Sequence, residues 1–185
     1  GKDGKSLRPA MIWMDRRAEE ETRILKESMG EGEVEGITGN LSDPFYVASK
    51  LLWLKNHEPE IFERSSVFLQ VNGYINYKLT GQYSMDNSHA TLLQLRDYSK
   101  DEWSEKLCSY CSVRPDQFPP ILQSHEICGE VTAEAAAQTG LIKGTPVLAG
   151  TVDGAAAALE AGITGPGIVA EMTGTSTVMM IPNDR

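Results

Sequence analysis

Three things are scarce in this sequence. Cysteine is limited to Cys108, Cys111 and Cys128 in 185 residues, an odd number that does not make the disulfide framework of a small secreted domain. Positive charge is outweighed, with 17 Lys and Arg against 26 Asp and Glu and a net charge of -9. A phosphate backbone needs a basic stripe, so nucleic acid is not the expected partner, and long-range steering of acidic substrates is not favoured either. Apolar runs long enough to span a bilayer, about eighteen residues, do not occur. Behind the polar start Gly1-Lys2-Asp3-Gly4-Lys5-Ser6 there is no apolar stretch of signal-peptide length. The expectation is a soluble cytoplasmic protein with no membrane partner.

Several catalytic signatures are missing as well. Neither G-x-x-x-x-G-K-[ST] nor G-x-G-x-x-G occurs, which removes support for P-loop and Rossmann nucleotide sites. His57, His89 and His125 are far apart and none stands in H-E-x-x-H spacing. G-x-S-x-G is absent, and Gly174-Thr175-Ser176-Thr177 fails it at the last position. Cys108 and Cys111 form a C-x-x-C without a second ligand pair. Trp103, Leu107, Tyr110 and Cys111 repeat at helical spacing, which makes the two thiols packing groups on one helix face.

What is present is a core-forming composition, 41% hydrophobic and 23% charged, in a chain long enough for one globular domain or one and a half. Met11-Ile12-Trp13 reads as a short strand, and Asp15 as the N-cap of a helix from Arg16 to about Met29, with Glu19 and Arg23 spaced for an ion pair. A loop rich in Gly and Glu follows. Asp43-Pro44 reads as a helix start with Pro at N1, continued by Val47, Leu51 and Leu54 until His57-Glu58-Pro59. Val71, Ile75 and Leu79 mark a further helix stopped by Gly81, and Asp86-Asn87 caps one from Ala90 to Leu93. No internal repeat or low-complexity tract is found.

The last third changes character. Val147 to Val152 is a β-compatible run that ends at Asp153-Gly154, before the helix-forming Ala155-Ala156-Ala157-Ala158-Leu159. Ligands of open α/β sheets bind beyond the carboxyl ends of strands, which makes Asp153 a candidate ligand-facing carboxylate. An Asp at that position also reads as a plain helix cap. Ile168 to Met172 and Thr177 to Ile181 read as two strands joined around Gly174-Thr175-Ser176. Such a turn either presents backbone N–H groups to a phosphate or is simply a hairpin.

Taken in order, Leu7-Arg8-Pro9-Ala10-Met11-Ile12-Trp13-Met14-Asp15-Arg16-Arg17, Lys50-Leu51-Leu52-Trp53-Leu54 with His57-Glu58-Pro59-Glu60-Ile61-Phe62, Tyr77-Lys78-Leu79-Thr80-Gly81, and Asp101-Glu102-Trp103-Ser104 resemble the FGGY carbohydrate kinase family. Gly144-Thr145-Pro146-Val147, Asp153 with its alanine run, and Gly174-Thr175-Ser176 continue the resemblance, and the xylulokinase branch fits best. The resemblance implies an α/β protein of the actin-like, ribonuclease H-like ATPase fold. Residues 1–162 would form the C-terminal part of the first, sugar-binding domain, and residues 163–185 the opening hairpin of the second, nucleotide-binding domain.

By the same resemblance the full-length protein is an ATP- and Mg²⁺-dependent sugar kinase acting on a hydroxyl of a ketose or polyol, with a xylulose-like sugar first. Asp153 is its general base and a sugar contact, Phe45 and Tyr46 fall beside the sugar, and Gly174, Thr175 and Ser176 lie against the nucleotide phosphates. Asp15 and Arg16 are read as a cap and a surface ion pair. The family's metal-holding and adenosine-binding segments have no counterpart here, so the chain is expected to be a piece of a longer protein, inactive alone, with no metal ligand of its own. A homodimer is left open. Two positions depart from the family pattern. Gly154 stands where an amide-bearing residue is usual, and Thr177 where the turn is usually followed by Gly. A non-catalytic relative that binds sugar or nucleotide and signals through domain closure is the alternative.

Overall fold

The protein is described by a computed structural model that covers residues 1–174 and 177–182. It divides into two compact units, Gly1–Ala149 and Gly150–Arg185.

The first unit opens without regular structure. Met11 to Trp13 does not form the expected strand: Ile12, Trp13 and Met14 are half-exposed, and the chain instead makes a turn closed by the Asp15 N–H on the Ile12 carbonyl at 3.1 Å. Asp15 does not cap a helix either, because its carboxylate is taken by the Arg17 backbone N–H and guanidinium. Helix α1 (Glu19–Met29) therefore starts three residues later than Asp15-Arg16 suggests, and buries Thr22 and Leu25. On its outer face Arg23 pairs with Glu20 and Glu27, while Glu19 pairs with Arg16.

The Gly- and Glu-rich stretch is a helix, α2 (Glu31–Thr38), and not the expected loop. Val34 and Thr38 are buried at i and i+4, and that burial outweighs the poor helix propensity of Gly32 and Gly36. Asp43-Pro44 belongs to a separate turn in which the Asp43 carboxylate accepts the Phe45 N–H at 2.8 Å. Helix α3 (Val47–His57) begins only after it, and α4 (Pro59–Arg64) restarts with proline in its first turn.

Helix α5 (Val71–Thr80) ends as expected at Gly81, whose φ of 76° is the left-handed value that favours glycine. Its buried side is not the apolar one: Val71 and Ile75 are exposed, while Gly73, Asn76 and Thr80 are buried. A Cβ on Gly73 would lie 2.7 Å from the Ser84 carbonyl oxygen, so glycine is what lets the helix approach that backbone.

Next come β1 (Met85–Asp86), α6 (Asn87–Leu92), β2 (Arg96–Asp97), β3 (Glu102–Trp103) and α7 (Glu105–Tyr110). Asp86 caps α6 as expected, although the helix starts at Asn87. After β4 (Ile121–Leu122) and β5 (Ile127–Glu130), α8 (Ala133–Thr139) leads to β6 (Pro146–Leu148). Strand β1 runs parallel to β4, β2 pairs antiparallel with β3, and β5 pairs antiparallel with β6. The β6 strand is shorter than the run to Val152 suggests, because Gly150 at φ 87° turns the chain away. Leu25, Val34, Leu51, Leu93, Leu107 and Cys108 are central to the core, and Cys111 packs with them.

The second unit holds α9 (Asp153–Glu160) and the antiparallel hairpin of β7 (Ala170–Thr173) and β8 (Thr177–Met180). Helix α9 lies against β7. No helix among the described residues is long and apolar enough to cross a membrane.

Candidate functional site

In the first unit, the turn before α3 brings the two expected sugar contacts together. The rings of Phe45 and Tyr46 meet edge-on with centroids 5.1 Å apart. The Tyr46 hydroxyl donates to Asn40 Oδ1 at 3.1 Å, and burial, then the nearby Asp43 charge, pushes its pKa up. That hydroxyl is committed to Asn40 as a donor.

The Trp13 ring lies 6.2 Å from that of Phe45 and is 50% exposed. The sequence placed Trp13 in a strand, and its exposed position beside Phe45 was not expected. Its indole and the Phe45 ring, with their planes 57° apart, make an apolar wall on this turn.

Charge stitches this wall together. Arg17 bonds Asp15 and lies over the Trp53 ring at 4.9 Å, and its hydrogen bond holds the Asp15 carboxyl below the usual carboxylate range. Arg16 reaches Asp43 at 3.2 Å as well as Glu19. Asp15 and Arg16 are thus ion-pair partners of neighbouring side chains. Lys50 is buried at 6% exposure and donates to the carbonyls of Ile12 at 2.8 Å and Phe45 at 3.1 Å, and burial pulls its pKa down. Lys50 was not singled out from sequence. The signal was there: it lies at i+3 from Val47 in the repeat Val47, Leu51, Leu54, a charge on the apolar arc of α3.

In the second unit, Asp153 is the first residue of α9, and the N-cap position belongs to Val152. The Asp153 carboxylate is exposed and Oδ1 accepts the Gly154 N–H at 2.8 Å. It therefore does local work at the helix start while staying open to solvent. Gly174 follows β7 at the hairpin turn, and a Cβ there would meet no atom of the described residues within 4 Å. Thr175 and Ser176 lie outside the described residues. Phe45 and Tyr46 sit in one unit, and Asp153 and Gly174 in the other. Among the described residues no group of three or more His, Cys, Asp or Glu side chains could hold a metal ion.

Residues 1–160 match the N-terminal domain of the FGGY family of carbohydrate kinases. The chain belongs to this family, and its α/β fold is that of the actin-like ATPases. It is 36% identical over 172 residues to the xylulose kinase of Escherichia coli strain K12, covering 93% of this chain and 35% of that protein. It is 34% identical over 178 residues to the xylulose kinase of Bacillus subtilis strain 168, covering 96% and 36%. The crystal structure of xylulose kinase from Rhodospirillum rubrum superimposes with a TM-score of 0.92 at 34% identity, covering 96% of this chain and 36% of that one. The chain thus spans about a third of the length of the curated relatives it matches.

Proposed function

We propose that this chain carries the sugar-binding part of a kinase that phosphorylates a hydroxyl of a ketose or polyol, a xylulose-like sugar first, with Asp153 as general base. The observation that carries the reading is the family match over residues 1–160, joined by relatives named xylulose kinase at 34% and 36% identity. Residues 1–162 belong in this reading to the first, sugar-binding domain, and 163–185 open the second, nucleotide-binding domain.

Phosphoryl transfer asks little covalent chemistry of a protein, so positioning and charge placement do most of the work. Phe45 and the edge of Tyr46, with Trp13 beside them, give the sugar an apolar wall to lie against. The exposed Asp153 carboxylate, oriented by the Gly154 N–H, accepts a hydrogen bond from the reacting hydroxyl. A carboxylate is a far weaker base than an alkoxide, so Asp153 takes that proton late, as the oxygen–phosphorus bond forms. ATP supplies the phosphoryl group when bound, and Gly174, Thr175 and Ser176 would hold its phosphates. The described residues offer no donor set that fits Mg²⁺, and no step on them runs through the ion.

The test is Asp153→Asn in the full-length protein. Asn keeps an oxygen to accept the Gly154 N–H, so the fold and α9 persist. Turnover should fall about a hundredfold or more, the scale for losing a positioned acid or base, while sugar affinity changes by less than about threefold. Turnover within a few-fold of wild type would reduce Asp153 to a helix-start residue. Sugar or nucleotide binding by the wild type with no product formed would point instead to a non-catalytic sensor.

A further inference from the structure

We propose that Lys50 is a positioning residue of the sugar site: its ammonium ties the peptide that leads into Trp13 to the peptide that leads into Tyr46, and so holds the Trp13–Phe45 wall in shape. The proposal rests on the reading that this wall faces a sugar.

The two carbonyls that receive Lys50 belong to Ile12 and Phe45, in segments with no other regular pairing between them. The Ile12–Asp15 turn cannot anchor itself by burial, since Ile12, Trp13 and Met14 are 55%, 50% and 53% exposed. Arg16 and Arg17 hold its downstream end through Asp43, Asp15 and the Trp53 ring. Lys50 holds the turn itself, through the carbonyl that also accepts the Asp15 N–H.

Burial works against a lysine there. Its hydrogen-bond partners are carbonyls and not carboxylates, and the nearby Asp15 and Asp43 charges offset only part of what burial costs the ammonium. A methionine of similar reach on the same apolar arc would pack against Val47, Leu51 and Leu54 without that cost. What methionine cannot do is donate to two carbonyls from segments far apart in sequence. The wall's geometry is what the ammonium adds.

The experiment compares Lys50→Met, Lys50→Gln and Lys50→Arg with wild type in two readouts. The first uses this chain labelled with 5-fluorotryptophan, with the Trp13 fluorine resonance assigned by Trp13→Phe. In Lys50→Met the Trp13 resonance should move towards the free-indole position. The Trp103 resonance should stay, since Trp103 is fixed separately by its bond to the Pro119 carbonyl. The thermal midpoint should hold or rise. The second readout is sugar kinetics of the full-length protein: KM should rise about tenfold with kcat within about threefold, and Lys50→Arg should recover most of the loss. If Lys50→Met fails to fold, Gln against Arg makes the same comparison. An unmoved Trp13 resonance, or a moved one with unchanged KM, overturns the proposal. A wild-type protein that phosphorylates no sugar sinks the parent reading, and the Trp13 resonance then still decides the clamp by itself.

Discussion

Asp86 is the most heavily bonded carboxylate in the chain's first unit, and removing it should cost more than any surface ion pair. It has no exposed surface. Its Oδ1 accepts the N–H groups of Ser88 and His89, each at 3.0 Å, and the Ser88 hydroxyl. Its Oδ2 accepts from Asn72 Nδ2 at 2.8 Å and, with the ring proton on Nδ1, from His89 at 2.6 Å. Burial pushes its pKa up, but the hydrogen bonds from His89 and Ser88 win and hold it at about 2, against an ordinary 3.8. That difference corresponds to about 2 kcal/mol of stability. Because the folded value is the lower one, the contribution is complete above about pH 5 and drains away as pH falls towards 2.

Asp86→Ala takes the acceptor away from the half-buried His89 and Asn72 donors and from the first turn of α6, and should cost about 3–5 kcal/mol at pH 7, or roughly 10 °C in Tm for a chain of this size. Asp86→Asn keeps the cap but sets an amide N–H₂ against Asn72 and the His89 ring, whose proton can move to Nε2 so that Nδ1 accepts. The buried Asn72 Oδ1 has no partner, so turning that amide relieves the clash, and the expected loss is smaller, about 1–2 kcal/mol. Urea unfolding followed by far-ultraviolet circular dichroism at pH 7 and pH 3 reads both effects. The reasoning fails if Asp86→Ala stays within about 0.5 kcal/mol of wild type at pH 7, or if Asp86→Asn keeps the full wild-type loss of stability on acidification.

Two further outcomes are expected. Burial pushes the thiols of Cys108 and Cys111 up to about 11 and about 12, while Cys128 is only half-buried. An aromatic disulfide reagent at pH 8 should therefore titrate one thiol in the folded protein and three in urea, and more than one fast thiol, or stoichiometric zinc, would contradict the packing role. Gly154→Gln adds a Cβ where no atom of the described residues lies within 4 Å and replaces a helical glycine, so it should stabilise by about 0.5–1 kcal/mol in thermal melts. It should also shift the sugar preference of the full-length protein in a substrate panel, and a stability loss would show that the space over α9 is not free.

Sequence alone determined the elements whose signals are local. Helix α5 with its stop at Gly81, the cap at Asp86, the helix opened by Asp153 and the hairpin around Gly174 were all legible, because capping, glycine turns and periodicity act between residues close along the chain. Ordered motifs were also enough to point to the FGGY family. Tertiary structure decided what depends on distant partners. Helix α2 forms despite two glycines because Val34 and Thr38 have a core to enter. The buried face of α5 is Gly73, Asn76 and Thr80, since Gly73 meets the Ser84 carbonyl and Asn76 donates to the carbonyls of Leu148 and Ala149. Trp13 was misread as a strand residue because an apolar triplet carries no information about whether a partner strand exists, and the turn it occupies is held by a lysine on α3 whose acceptors only the folded chain brings together.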